Sequence, residues 1–281
     1  MIVDSHTHIL PLEITKNIPK YSKNDSTLNE LFNPRTKTST AEALIDSMDE
    51  LGIEISVVMG MGWTDHSLNQ YVNDYLLESA TKYPERLIPV TGIIASGESK
   101  GVYEAERCVQ KGAKGIGEIH TTNQGIDLGE YSLMKPFMQL VDSKNLPVVI
   151  HCSEPVGHKY SGKGITYPDT VEKFVSNFPE SEIVLAHWGG GLPFYLLMPE
   201  IMQASSNLFF DTATSVFLYD SRVFSVGVEA AGADKILFGS DYPLVSQDRI
   251  MKDLRKNETN SDIESLILYK NACKLLGIAT S

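Results

Sequence analysis

Ile2-Val3-Asp4-Ser5-His6-Thr7-His8 opens the chain with an apolar, β-branched run that passes directly into a polar end carrying two histidines. In an extended segment alternate side chains share a face, so His6 and His8 project together. Two neutral imidazoles on one face suit Zn²⁺, Mn²⁺, Fe²⁺ or Ni²⁺. Taken alone, the spacing also fits two strand-end histidines engaged in hydrogen bonds. The pattern is not confined to this stretch: an apolar run ending in a polar group recurs along the chain, and that recurrence decides the fold.

Eight short apolar segments are spaced at fairly even intervals: Ile2–Asp4, Ile53–Met59, Leu87–Ile94, Lys114–Ile119, Pro147–His151, Glu182–His187, Leu208–Asp211 and Lys235–Gly239. Their near-continuous hydrophobicity is that of strands covered on both faces, as in parallel sheets. Amphipathic stretches fill the gaps: Thr40–Leu51, Leu68–Lys82, Gly101–Lys111, Leu133–Lys144, Asp169–Asn177, Pro193–Ala204, Ser221–Ala231, Ser246–Arg255 and Ser261–Leu276. Strands alternating with helices over 281 residues predict an α/β fold, a (β/α)8 TIM barrel, with a doubly wound open sheet as its competitor. The chain reads as one domain, 1–281. The polar segment Ile14–Thr38 is too long for an idle connection and is expected to form a lid or side wall over one end of the barrel.

Composition narrows the class of partner. Acidic residues outnumber basic ones by 36 to 24, a formal charge of −12, which argues against nucleic acid or an anionic membrane. A small-molecule substrate is expected instead. No apolar run approaches the roughly 20 residues that span a bilayer, and no secretory signal pattern opens the sequence. Cys108, Cys152 and Cys273 are odd in number and lack metal-knuckle spacing. Free thiols and a cytoplasmic location are expected, with a homodimer the guess for assembly.

The remaining strand ends carry the chemistry. The fourth ends Gly117-Glu118-Ile119-His120, placing Glu118 and His120 on one face; a carboxylate there is costly unless paired, coordinated or solvated. His151 and His187 directly follow the fifth and sixth apolar runs, and Asp241 follows the eighth. Each has an ordinary reading as a core histidine, a turn former or a cap. Together, however, His6, His8, Glu118, His151, His187 and Asp241 come from the C-terminal ends of five strands, which converge on one mouth of a barrel. That coincidence points to a divalent metal site.

These motifs resemble the amidohydrolase superfamily, most closely its amidohydrolase-2, or amidohydrolase-related, branch. The resemblance is carried by Asp4-Ser5-His6-Thr7-His8, His151, His187-Trp188-Gly189-Gly190, Gly239-Ser240-Asp241-Tyr242-Pro243 and Asn271-Ala272 before Leu275-Leu276-Gly277, and spans residues 2 to 277. It implies a metal-dependent barrel with His6, His8, His151 and Asp241 as ligands and Asp241 as proton acceptor. It implies for His187 either a ligand role toward a second metal or an acid/base role beside a single one. Many dinuclear members carry a carboxylated lysine where this chain has Glu118; a glutamate there resembles the TatD-like pattern.

The leading expectation is a metal-dependent hydrolase of a small amide, ester or lactone, holding one or two ions, with zinc foremost. Metal-bound water reaches a pKa of about 7, and Asp241 would take its proton. The alternative is a lyase, a mononuclear nonoxidative decarboxylase of an aromatic or unsaturated acid with His187 as acid/base. A TatD-like phosphoesterase or nuclease comes third, and a metal-stabilised binding protein without turnover fourth. His120 and Trp188 are substrate-contact candidates. Gly189-Gly190-Gly191 fits either an anion site or a plain tight turn, and Thr212 and Thr214 fit pocket lining or loop packing. His66 and His158 fall in expected loops, and Cys152 is expected to be a buried thiol.

Overall fold

The computed structural model describes residues 1–33, 35–95, 99–203, 205–258 and 260–279. Eight strands follow one another as β1 (Val3–Thr7), β2 (Ile55–Met59), β3 (Leu87–Val90), β4 (Ile116–Ile119), β5 (Val148–Ile150), β6 (Ile183–Leu185), β7 (Leu208–Asp211) and β8 (Ile236–Leu237). All paired neighbours are parallel, in the orders β1-β2-β3 and β4-β5-β6-β7-β8. Two seams join these runs into a ring. One is the bridge between Thr91 and Ile116; the other is the bridge between Thr7 and Tyr242, supported by Ser5 N–H donating to the Phe238 carbonyl at 2.8 Å. The result is the (β/α)8 barrel that the alternation of segments predicts.

Period-two alternation sorts the apolar residues into layers. Val3, Val57, Met59, Val90, Val149, Val184, Phe209 and Leu237 form one buried cluster, the barrel interior. The intervening Ile116, Val148, Ile150, Ile183, Leu185 and Phe210 pack outward against Phe137, Met138, Val171 and Phe174 of the surrounding helices. Burying side chains of this size contributes about 1.5–3 kcal/mol each. Because both faces of every strand are covered, the strands read as near-continuous apolar runs.

Several helices fall where their amphipathic patterns place them, and Ala41–Leu51 shows the end signals in full. Thr40 accepts from the Ala43 N–H at the start of Ala41–Leu51, and Gly52 ends that helix with φ +67°. The long stretch Pro193–Ala204 breaks instead into a 3-10 turn, Leu192–Leu197, and a short helix, Pro199–Gln203, because Pro199 cannot continue the first; Ala204 lies outside the described residues. His66 opens the helix His66–Lys82 rather than sitting in a loop. In the polar segment after β1, Ile18–Tyr21 and Ser26–Leu31 are short helices, and Leu31–Asn33 and Arg35–Thr38 line the cavity at the barrel mouth; Pro34 lies outside the described residues. Among the described residues no helix is long and apolar enough to cross a membrane.

Candidate metal centre

The C-terminal strand ends open into a cavity of about 850 Å³. His8, Glu118, His120, His151, His187 and Asp241 line it, and His6 lies just beneath, wholly buried. His6 is within β1 and His8 one residue past Thr7, so the extended backbone does put both rings on one side, with Nε2 atoms 3.0 Å apart. Glu118 is held in β4 and His151 directly follows β5. His187 and Asp241 adopt left-handed backbone, φ +57° and +67°. Such conformations are costly for residues with a Cβ and gather at functional sites.

Outward hydrogen bonds assign the tautomer of each ring. His6 Nδ1–H donates to Asp211 Oδ2 at 2.7 Å, and His8 Nδ1–H donates to the Met59 carbonyl at 3.2 Å. His151 Nε2–H donates to the Gly162 carbonyl at 3.0 Å, and His187 Nδ1–H faces Thr214 Oγ1 at 3.0 Å and the Ala213 carbonyl at 3.3 Å. In the neutral rings the remaining nitrogens present lone pairs inward. His6 Nε2 meets His8 Nε2, and His151 Nδ1 meets His187 Nε2 at 3.2 Å. With all four rings neutral neither pair has a proton to share, so both meetings demand positive charge, supplied by a cation or by ring protonation.

The carboxylates deepen that demand. Glu118 Oε1 is 2.9 Å from His151 Nδ1 and 3.3 Å from His187 Nε2, while its Oε2 is 3.7 Å from both His6 Nε2 and His8 Nε2. Asp241 Oδ1 adds a third acceptor, 3.3 Å from His8 Nε2 and 3.9 Å from His6 Nε2. Burial opposes charging His6, but Asp211, Glu118 and Asp241 outweigh it and push its pKa up to about 10. His187 is likewise lifted against burial, to about 9, chiefly by Glu118. Burial would raise Glu118 and Asp241, yet the surrounding imidazoles hold Glu118 well below the usual carboxylate range and lower Asp241 as well. Inward lone pairs and anionic oxygens fit a divalent cation, with two overlapping donor sets: His6, His8 and Asp241, and His6, Glu118 and His187.

Other candidates fall on either side of the wall. His120 lines the cavity, stacked on His151 with ring centroids 4.3 Å apart. Its Nε2–H donates to the Gly162 carbonyl at 3.2 Å, and burial lowers its pKa to about 4, leaving a neutral ring whose Nδ1 has no partner among the described residues. Thr214 and His158 line the cavity; Thr212 does not, its hydroxyl donating to the Gly239 carbonyl at 2.9 Å.

Trp188 is a correction to the expected substrate contact. Its ring is wholly buried, donates from Nε1 to Ser215 Oγ at 2.6 Å and packs edge-on to Phe224, because the left-handed turn at residues 187–188 directs it into the core. The following glycine run is a plain turn: Gly190 N–H and Gly191 N–H are spent on the His187 and Trp188 carbonyls. Cys152 is buried, and desolvation pushes its thiol well up. Asp211 escaped the sequence reading, although it ends β7 as the other acids and histidines end theirs.

The chain matches the family model described as Amidohydrolase over residues 3–278. Among solved structures it is similar to 5-carboxyvanillate decarboxylase from Sphingomonas paucimobilis, at 13% identity and a TM-score of 0.79, covering 99% of both chains. It is similar to 5-carboxyvanillate decarboxylase from Novosphingobium aromaticivorans, solved with manganese and 3-methoxy-4-hydroxy-5-nitrobenzoic acid, at 17% and 0.80, covering 99% of this chain and 97% of that one. A putative amidohydrolase from Staphylococcus aureus matches at 19% and 0.72, covering 98% and 99%.

Proposed function

The chain belongs to the amidohydrolase family of metal-dependent enzymes, and on that footing we propose that it is a hydrolase of a small amide, ester or lactone. One observation carries the reading: the two oxygens of Glu118 face different histidine pairs, Oε2 toward His6 and His8 and Oε1 toward His151 and His187. A carboxylate so placed suits two cations, the first held by His6, His8, Asp241 and Glu118, the second by Glu118, His151 and His187. Zinc is the leading candidate, and manganese fits the same donors. When bound, such ions supply an acidified water and polarise the substrate's carbonyl oxygen.

The chain's own groups do the rest. Asp241 is held anionic beside His8 and at the cavity wall, so its carboxylate accepts a proton from the attacking water and returns it to the leaving group. His120, neutral and with a free Nδ1 lone pair, orients a donor group of the substrate. Leu10, Phe32, Met61 and Leu244 provide apolar lining for the acyl portion, and Arg35 and Lys37, which line the same cavity, favour an anionic substituent.

A nonoxidative decarboxylase of an aromatic acid is the second reading. It is favoured by a cavity lined by apolar residues together with Arg35 and Lys37, and by decarboxylases among proteins of the same fold; His187 would then move the proton. The deciding experiment assays the zinc- and manganese-loaded protein on amides, esters, lactones, phosphoesters and aromatic acids, with ions counted per chain. Water-dependent cleavage with two ions is expected. Carbon dioxide release without such cleavage overturns the hydrolase.

A further inference from the structure

The His151 ring is held from outside the barrel. Its Nε2–H goes to the carbonyl of Gly162, and that oxygen also accepts from His120 Nε2. Gly162 lies in the long connection after β5, at φ +87°, and a Cβ there would come within 2.6 Å of Leu31 Cδ2. Its N–H donates in turn to Glu30 Oε1 at 3.2 Å. Glu30 sits on the short helix Ser26–Leu31, which is itself fixed. Buried Asp25 accepts from the backbone N–H groups of Leu28, Thr64 and Asp65 at 2.7, 2.6 and 2.9 Å, and Thr27 donates to the Gly62 carbonyl at 2.7 Å. Near Gly162 the connection is tied by Gly164 N–H to Ser153 Oγ and Ile165 N–H to Thr122 Oγ1, both 3.0 Å.

We propose that Glu30 and Gly162 are positioning residues for the His151 side of the cation centre. Glu30 holds the glycine, and the Gly162 carbonyl holds the imidazole with Nδ1 turned toward Glu118. His6, His8 and His187 take their orientation from acceptors at or just beyond strand ends, whereas His151, like the neighbouring His120, depends on the Gly162 carbonyl in the connection after β5. This inference rests on the reading that His151 is a cation ligand. Acceptors of this kind fix ring orientation and basicity, and their loss weakens metal binding about 10–100-fold.

The test titrates full-length protein with zinc against a chromophoric chelator, and reads the His151 tautomer from imidazole ¹⁵N shifts of the zinc-loaded protein. Glu30→Ala and Gly162→Ala are expected to weaken the His151-dependent binding step at least about 10-fold and to release the ring from its Nε2–H form. Glu30→Gln, which keeps the accepting oxygen, is expected to match wild type in both. If His151→Ala weakens zinc binding while Glu30→Ala and Gly162→Ala leave affinity within twofold and the tautomer unchanged, the positioning role is overturned and the ligand role stands. If His151→Ala leaves zinc binding unchanged, the ligand reading itself falls and takes the proposal with it.

Discussion

Replacing Asp211 by asparagine tests the charge logic of the centre without touching an inward-facing donor. Asp211 is wholly buried and offers two oxygens to three donors: Oδ2 accepts from His6 Nδ1–H at 2.7 Å, and Oδ1 accepts from the N–H groups of His187 and Ala213 at 2.9 and 3.0 Å. Asparagine has one oxygen and an amide that only donates, so in either orientation a donor faces a donor. Keeping the backbone pair satisfied turns the amide toward His6 Nδ1. His6 then moves its proton to Nε2, closing the lone pair that faces His8. Losses of this kind weaken metal affinity about 10–100-fold, or about 1.4–2.8 kcal/mol at a factor of ten per 1.4 kcal/mol. Chelator competition with zinc and with manganese at constant pH reads the change directly. An affinity within twofold of wild type would refute the claim that the outer hydrogen bonds set the inward lone pairs.

Asp241→Asn should keep the fold and lower turnover about 10²–10⁴-fold, the usual span for general acid–base groups, as measured by kcat on any substrate found; full activity defeats its proton role. The cation-free protein should lose thermal stability as pH rises. His6 and His187 are raised above 6.5 to about 10 and 9, so their stabilisation is complete below pH 6.5 and is lost through 9 and 10. Fluorimetric melts from pH 7 to 10 should slope downward and recover with zinc; a level profile contradicts this. Asp25→Ala leaves three backbone donors without their carboxylate and should cost about 3 kcal/mol in urea unfolding, and a loss under 1 kcal/mol would count against the anchoring of Ser26–Leu31. Gly227→Ala places a Cβ 2.4 Å from Trp188 Cζ3 and should destabilise by about 1–3 kcal/mol; unchanged melting would mean the ring is not confined there.

The barrel and its inward donors were legible because both obey short-range rules. Continuous apolar runs mark strands covered on two faces, and a polar residue where such a run stops marks the open mouth. The same rules place His6 and His8 side by side and bring Glu118, His151, His187 and Asp241 to them. What the rules omit is whatever depends on distant backbone. Asp211 matters through a partner 205 positions away, and Gly162 acts through its main-chain oxygen, which no residue type advertises. Trp188 misleads for the converse reason: adjacency to His187 suggests the cavity, but a left-handed turn sends the next ring into the space left by Gly227.

The seam between β1 and β8 has a consequence for biosynthesis. His8 N–H donates to the Tyr242 carbonyl at 2.7 Å and Asp241 N–H to the His6 carbonyl at 2.9 Å, so the earliest and latest donors are stitched together by main chain. During translation the two histidines leave the ribosome long before their aspartate does. The two histidines are only part of the donor set, which is complete only once the ring has come full circle.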